Sequence, residues 1–268
     1  MKPLLVNGTM RSGTTYLFRY LWWLSNGKAL FEPLNDIGMI WRTFPQLRKI
    51  QIRYDPKMLD VLMRTHYIYD YDLLRQYFEN LKDWNIKEVV LHFYLNEYFI
   101  RDNWDVYHII RNPADIMLSY INAFLRPLKL HKIYILLRLL DHIPFLNILS
   151  YNMKSKYLWF REAKFFERFI HTPETHPFKI KTFEDAITIV WTITNYYAIN
   201  SINPDKQLII YEKPETYYKL PRWEEWLEKE PLKIKKYKQR DRIFRKMYES
   251  AKKFGIEKEF KELMSFFD

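Results

Sequence analysis

The sequence predicts an α/β protein with a central parallel sheet flanked by helices. Short apolar runs, each 3–5 residues long, alternate along the chain with longer segments of helical periodicity. This alternation is typical of parallel sheets whose strands are connected by helices. The chain of 268 residues contains no repeat and no low-complexity linker, so we expect a single domain over residues 1–268 with a helical insertion near 126–180.

The apolar runs define five candidate buried strands, at residues 4–7, 29–31, 89–93, 106–110 and 207–211. Between them, Leu17, Phe18, Leu21 and Leu24 share one helical face, and Asn26-Gly27 is a typical helix stop. Asn112-Pro113 has the residues of a helix start, with Asn as the cap and Pro in the first turn. The remaining helices are predicted at residues 56–83, 183–200 and over most of 222–266.

Composition excludes several classes of protein. Apolar residues make up 48% of the chain, which rules out intrinsic disorder, and the absence of cysteine excludes disulfides, thiolate zinc sites and a cysteine nucleophile.

No run of about 18 uncharged apolar residues exists, and the apolar start at residues 3–6 is too short for a signal-peptide core. We therefore expect a cytoplasmic protein. Residues 133–149 predict amphipathic helices, either packed on the core or covering a cleft, or in weak contact with a membrane surface.

The clearest motif is the turn GTMRSGTT at residues 8–15, which follows the first strand and precedes a helix. The chain has only five glycines, and Gly8 and Gly13 lie here with the spacing of G-x-x-x-x-G-K-[ST], a P-loop. Thr14 replaces the lysine, and Arg11 lies inside the loop. No predicted buried strand ends in Asp, so a magnesium site for a nucleoside triphosphate is not evident. The loop predicts phosphate binding in a P-loop-NTPase-like sheet.

A second basic motif, RNPADIMLS, begins at the end of the fourth predicted strand. Arg111 leaves this strand, and Ser119 lies two helical turns along the following helix. An Arg and a hydroxyl can together hold one phosphate. With the loop after the first strand, this pair predicts a ligand with two separate phosphate groups.

These two motifs resemble those of the sulfotransferase superfamily that uses 3′-phosphoadenosine 5′-phosphosulfate (PAPS). R-S-G-T-T is similar to the family's 5′-phosphosulfate loop, and R-N-P-x-D-x-x-x-S is similar to its 3′-phosphate signature. The match covers most of residues 1–125 and continues weakly at 208–212. An arginine at the position of Arg11 is typical of the carbohydrate and tyrosyl-protein branches of the family, so the loop resembles theirs more than that of the cytosolic branch. The resemblance implies metal-free sulfuryl transfer from PAPS to a hydroxyl or amine, with a sugar, a lipid or a tyrosyl peptide as acceptor.

The resemblance also assigns roles to individual residues. It places Arg11 opposite the transferred sulfuryl group and Tyr16 where some members stack an aromatic ring on adenine. The donors to the 5′-phosphate would be the loop residues Ser12, Gly13, Thr14 and Thr15. Arg111 and Ser119 would hold the 3′-phosphate, and residues 233–242 are a candidate for the family's later basic segment.

The acceptor must lose a proton during transfer, so a general base is expected. Glu32, in FEPLND, corresponds to a Glu-Pro whose glutamate is a proposed base in carbohydrate sulfotransferases. His92, in EVVLH, lies near the position of a Lys-x-His element of the cytosolic members. A capping or ion-pair role for Glu32 and a buried structural role for His92 are the alternatives to these catalytic assignments.

Two other functions remain open at this point. An ATP-dependent P-loop phosphotransferase would use the same loop. A non-enzymatic basic module would use the net charge of +11 to bind a membrane or nucleic acid. We expect no nucleic-acid partner, because the sequence contains neither a helix-turn-helix nor a zinc-finger spacing.

Overall fold

The computed structural model describes residues 2–32, 71–89, 91–125, 159–160, 163, 166, 180–235, 237 and 240–268. Within them lies a five-stranded sheet, all parallel, in the order β2-β3-β1-β4-β5. The strands are β1 (Leu4–Gly8), β2 (Ala29–Phe31), β3 (Asn85–Glu88), β4 (Asp105–Ile110) and β5 (Leu208–Ile210). The expected α/β class is thus confirmed.

Helices connect and cover these strands. In chain order the α-helices are α1 (Thr14–Leu24), α2 (Tyr71–Glu79), α3 (Tyr98–Arg101), α4 (Pro113–Tyr120), α5 (Phe183–Asn200), α6 (Pro204–Gln207), α7 (Trp223–Lys229), α8 (Arg240–Lys253) and α9 (Glu257–Met264). A π-helical turn at Ile121–Leu125 extends α4, and 3-10 turns occur at Pro214–Lys219 and Ser265–Phe267. In the described part of the chain, no helix has the length and apolar character needed to cross a membrane.

Strand β1 is the centre of the sheet, with β3 on one side and β4 on the other. Leu5 is the register partner of Ile86 in β3 and of Val106 in β4. All five residues of β1 are buried, as expected for a parallel strand covered on both faces. Because the three strands are parallel and adjacent, the residues that follow them leave the same edge of the sheet.

The predicted strand at 89–93 is wrong, because β3 occupies residues 85–88 immediately before it. The sequence of β3, NIKE, is mostly polar, yet all four residues are buried. Asn85 explains how: its Oδ1 accepts from the Leu4 amide at 2.7 Å, and its Nδ2 donates to the Leu21 carbonyl at 3.3 Å. Strand β3 is therefore stabilised by specific polar partners and not by apolar side chains alone.

Several of the other predicted elements agree closely with the structure. Of the helix predicted at 56–83, residues 56–70 lie outside the described residues, and α2 ends at Glu79. Strand β2 and helix α5 have the predicted bounds, and β1, β4 and β5 differ from theirs by one or two residues. Helix α1 ends at the turn containing Gly27, whose φ of 89° suits glycine. Helix α4 begins as predicted, since Asn112 Oδ1 accepts from the Ala114 amide at 3.1 Å and Pro113 occupies the first turn.

The chain divides into two compact units, each made of two segments. Unit 1 comprises Met1–Ile110 and Tyr197–Leu232 and contains the whole sheet; unit 2 comprises Arg111–Tyr196 and Lys233–Asp268. A cluster of buried side chains between β1, β3 and the helices α2 and α3 forms part of the core of unit 1, including Leu5, Phe78, Ile86 and Phe99. The predicted insertion at 126–180 and the amphipathic segment 133–149 lie almost wholly outside the described residues.

Candidate functional site

The loop at residues 8–15 connects β1 to α1. Ser12 closes this loop from within, because its backbone N–H and its hydroxyl both donate to the Thr9 carbonyl, at 3.1 and 2.6 Å. Arg11 and Gly13 have φ angles of 70° and 95°. For Arg11 this conformation is strained, a feature common at functional sites. Both donors of Ser12 thus bond within the loop, and its direct role is to hold the loop's shape.

Close contacts require both glycines of the loop. A Cβ on Gly8 would lie 2.7 Å from the Ile109 carbonyl oxygen and 2.8 Å from the Ser12 Oγ. A Cβ on Gly13 would lie 2.6 Å from the ring of Tyr211, in addition to the cost of its positive φ. The loop therefore packs tightly against the sheet, and its conformation leaves no room for a side chain at either glycine.

The start of α1 is suited to binding an anion. Gly13 occupies the cap position without a side-chain hydrogen bond, and no acidic residue lies in the first turn. The helix's own bonding begins with the Tyr16 amide, which donates to the Gly13 carbonyl at 3.0 Å, so the Thr14 and Thr15 amides precede it. Thr9 Oγ1 is buried and has no hydrogen-bond partner among the described residues. These donors and the helix dipole favour a negatively charged ligand.

Glu32 and Lys87 form a buried ion pair at the ends of β2 and β3. The Lys87 Nζ donates to Glu32 Oε1, and the side chains are 1% and 11% exposed. The Glu32 amide also donates to the Lys87 carbonyl at 2.7 Å. The Lys87 ammonium lies 4.3 Å from the centre of the Phe31 ring, a cation–π contact. Glu32, the predicted base, has a φ of 44°, so its backbone, like that of Arg11, is strained.

The surroundings of Lys87 change its protonation. Burial lowers the pKa of the Lys87 ammonium, because the charged form loses its hydration. The carboxylate of Glu88 acts in the opposite direction, and the guanidinium of Arg11 lowers the pKa of Lys87 further. Two cationic and two anionic side chains therefore interact within unit 1: Arg11, Lys87, Glu32 and Glu88.

His92, the second predicted base, belongs to a buried polar bridge. Asn7 Nδ2 lies 3.1 Å from the Nδ1 of His92 and 3.2 Å from the Nδ1 of His108. Asn7 Oδ1 accepts from the Leu91 amide at 3.1 Å, which fixes the amide orientation, so both Nδ1 atoms accept. The His92 Nε2 then donates to the Val89 carbonyl at 2.9 Å. Both ring nitrogens of His92 thus bond to protein atoms, whereas a base needs a lone pair facing the acceptor.

Tyr16, the residue that the resemblance assigns to adenine, is held by protein contacts. Its hydroxyl donates to the Glu230 carbonyl at 2.5 Å, and its ring centre lies 5.9 Å from that of Trp223 and 6.0 Å from that of Trp226. The Arg19 guanidinium lies 5.6 Å from the same ring centre. Burial raises the pKa of the Tyr16 phenol to about 12. Tyr16 therefore anchors α1 to the segment that includes α7.

Arg111 and Ser119, the residues predicted for the 3′-phosphate, belong to unit 2. Arg111 follows directly after β4 and is only 4% exposed; its Nη2 donates to the Lys235 carbonyl at 3.0 Å. Ser119 is buried on α4. The contact with Lys235 brings Arg111 together with the predicted basic segment 233–242, of which residues 236, 238 and 239 lie outside the described part of the chain.

The position of β3 changes one conclusion from the sequence. Because β3 ends at Glu88, a buried strand adjacent to β1 does end in an acidic residue. Glu88 Oε1 accepts a hydrogen bond from the Val89 amide at 2.8 Å. The absence of such an acid was the reason for finding no magnesium site, and that reason no longer holds.

Sequence reasoning missed Lys87, Thr9 and Asn7 as site residues. A lysine in a polar tetrapeptide looks solvent-exposed, and only its alternation with Ile86 could have indicated a strand. Asn7 and Thr9 flank the first glycine of the loop, so their position was a usable signal. No protein-family model, curated protein or solved structure matched the chain. What the protein does is therefore inferred from the geometry of this site.

Gly13→Ala should destabilise the fold more than Gly27→Ala. Both glycines have positive φ, which costs a residue with a Cβ about 1–2 kcal/mol. Only at Gly13 would the Cβ also overlap another group, the Tyr211 ring; at Gly27 the nearest atom is 3.3 Å away, on Trp22. Urea unfolding measures both losses. Equal losses would contradict the tight packing of the loop against Tyr211.

Lys87→Met should reduce the free energy of unfolding by about 3–5 kcal/mol, because it leaves the buried Glu32 carboxylate without its cation. The double variant Glu32→Gln with Lys87→Met should recover part of this loss. Lys252→Met, which breaks an exposed pair with Glu249, is the control and should cost less than about 1 kcal/mol. Chemical denaturation at pH 7 measures the stability of these three variants. A double variant less stable than Lys87→Met would contradict a strong interaction between Glu32 and Lys87.

The lowered pKa of Lys87 predicts a pH dependence. As pH approaches the ordinary lysine value of about 10.4, the unfolded chain still binds the proton that the folded chain has released. The free energy of unfolding of the wild type, relative to Lys87→Met, should therefore rise with pH just below that value, by up to about 1.4 kcal/mol per pH unit. Unfolding curves from pH 7 to 10 measure the difference, and a falling difference would show that the pKa is not lowered.

Proposed function

We propose that this protein is a sulfotransferase that transfers a sulfuryl group from PAPS to a hydroxyl or amine acceptor. The observation that carries the proposal is an anion-binding loop with a strained arginine, Arg11, whose charge acts on a buried Glu32–Lys87 pair. The loop supplies donors for a phosphosulfate, and the pair supplies a carboxylate that can take the acceptor's proton. The two-motif resemblance in the sequence agrees with this reading.

The loop fits the 5′-phosphosulfate end of the donor. Gly8 and Gly13 keep its backbone free of side chains at two points, and the Thr14 and Thr15 amides lie at the positive end of α1. The buried Thr9 hydroxyl adds a further donor to the set. Arg11 would stabilise the negative charge that develops on the bridging oxygen as the sulfur–oxygen bond breaks.

Glu32 is the better of the two candidate bases. In the transfer, the acceptor oxygen or nitrogen forms a bond to sulfur, the bond from sulfur to the 5′-phosphate oxygen breaks, and that oxygen keeps the electron pair. The acceptor's proton would go to the Glu32 carboxylate, which Lys87 holds in place. His92 is less suited, because both its ring nitrogens already bond to protein atoms.

Arg111 and Ser119 are proposed to bind the 3′-phosphate on the evidence of their sequence motif. Arg111 is 4% exposed, and the planar guanidinium of arginine suits two-point recognition of phosphate. We propose a carbohydrate or glycolipid acceptor, because the loop with Arg11 resembles that of the carbohydrate branch of the family.

Glu88 favours a second candidate function, an ATP-dependent phosphotransferase. A buried acid at the end of the strand beside the phosphate loop is where such enzymes hold magnesium. The two functions differ in donor, so calorimetry with adenosine 3′,5′-bisphosphate (PAP) and with Mg-ATP separates them. Tighter binding of Mg-ATP, with phosphate transfer, would replace the sulfotransferase proposal. Tight, steeply salt-dependent polyanion binding without binding of PAP would favour a basic module.

Glu32→Gln should bind PAP as the wild type does but transfer labelled sulfate about 10²–10⁴ times more slowly. Transfer of labelled sulfate is measured with sugars, lipids and tyrosyl peptides as acceptors. Glu225→Gln, which breaks an exposed pair with Arg222, is the matched control and should leave binding and transfer unchanged. An unchanged rate in a folded Glu32→Gln would assign the base role elsewhere, and no transfer by the wild type to any acceptor would count against the proposal.

A further inference from the structure

A hydrogen bond from Trp191 fixes the backbone of Arg111. The Trp191 Nε1 donates to the Arg111 carbonyl oxygen at 2.9 Å, and both residues belong to unit 2. Trp191 is fully buried on α5, and Arg111 is nearly so. The motif that indicated Arg111 in the sequence contains no sign of this partner, which is 80 residues further along the chain.

The Arg111 carbonyl lies between two regular bonding patterns. The preceding carbonyl, of Ile110, accepts from the Tyr211 amide at 2.9 Å, and the following one, of Asn112, accepts from the Ile116 amide at 3.1 Å as α4 begins. The Arg111 carbonyl, at the junction of strand and helix, receives its bond from a side chain, that of Trp191. A buried carbonyl without a partner costs about 1–3 kcal/mol, so the indole bond fixes the peptide plane here.

Trp191 is itself held firmly. Its ring centre lies 5.5 Å from that of Phe260 on α9 and 6.3 Å from that of Phe267. Its backbone carbonyl accepts from the Asn195 Nδ2 at 2.7 Å, next to the helix's own bonds. The indole therefore holds its N–H in a fixed place, and the Arg111 backbone is anchored to that place.

The guanidinium of Arg111 is anchored at its other end by the Lys235 carbonyl, 3.0 Å from Nη2. A side chain fixed at both the backbone and the guanidinium has few conformations left. Such preorganisation reduces the entropy that is lost when an anion binds.

We propose that Trp191 is a positioning residue for 3′-phosphate recognition, acting through the Arg111 carbonyl. The inference rests on the proposed use of PAPS and adds to it a residue that no motif assigned. Trp191 does not touch the nucleotide in this proposal. Its loss affects only the part of the binding free energy that depends on the 3′-phosphate.

The test compares two conservative variants. Trp191→Phe keeps an aromatic ring against Phe260 and removes the indole N–H. Trp104→Phe is the matched control, because the Trp104 Nε1 also donates to a backbone carbonyl, that of Trp84, at 2.8 Å. Trp104 directly precedes β4, whereas Arg111 directly follows it, so the two tryptophan bonds lie at opposite ends of this strand. Calorimetry with PAP and with adenosine 5′-monophosphate (AMP) gives the preference for the 3′-phosphate in each protein, and Arg111→Ala serves as the reference for its complete loss.

We expect the wild type to prefer PAP, and Trp191→Phe to lose about tenfold of that preference with AMP binding unchanged, as suits one buried hydrogen bond. Trp104→Phe should keep the full preference even though it also loses a hydrogen bond from an indole N–H. An unchanged preference in Trp191→Phe, or an equal loss in Trp104→Phe, would overturn the positioning role and leave the proposed function intact. A wild type that binds PAP no better than AMP would overturn both.

Should Trp191→Phe not fold, NMR of the wild type decides the question. Val190–Trp191 is the only Val–Trp pair in the sequence, so labelling valine carbonyls and tryptophan nitrogens identifies the Trp191 amide, and through it the indole. The indole N–H signal should shift on addition of PAP and stay in place with AMP. The same response to both nucleotides, or to neither, would overturn the proposal.

Discussion

A lysine and a glutamate, both buried, meet where β2 and β3 end, and the chemistry of the candidate site depends on this ion pair. Removing two charges from water costs several kcal/mol for each ion, so an apolar pair of similar volume would serve stability as well or better. A backbone hydrogen bond between Glu32 and Lys87 and the cation–π contact of Lys87 with the Phe31 ring offset part of this desolvation cost. The pair therefore places two charged groups, a carboxylate and an ammonium, at the candidate site.

Two asparagine side chains supply hydrogen bonds to buried polar groups near the strand ends of this sheet. Asn85 bonds to the Leu4 amide and the Leu21 carbonyl, and Asn7 bonds to two histidines and the Leu91 amide. An amide side chain has both donors and acceptors and carries no charge, so it can satisfy neighbours of either kind without a large desolvation cost. Asn85 makes its bonds where β1 and β3 begin, and Asn7 makes its bonds near the end of β1, beside the loop.

Two residues of the candidate site have strained backbone conformations. Among the described residues, four other than glycine have positive φ, and two of these are Arg11 in the loop and Glu32 after β2. Each such conformation costs about 1–3 kcal/mol and persists only where the surrounding contacts require it. Two of the four charged side chains of the site, those of Arg11 and Glu32, are thus carried by strained backbone.

The sequence by itself determined the alternation of strands and helices, the glycine-containing turn between β1 and α1, and the cap of α4, because these depend on local pattern and on residue types with special backbone or donor properties. Only the tertiary structure decided that β3 is the polar segment NIKE and not the apolar run after it, since burial of Asn85 and Lys87 depends on partners distant in the chain. The pairing of Lys87 with Glu32, the engagement of both nitrogens of His92, and the bond from Trp191 to Arg111 are likewise contacts between residues 3 to 85 positions apart. Most of these contacts join distant parts of the chain, and no local pattern encodes which distant side chain will satisfy a buried charge or carbonyl.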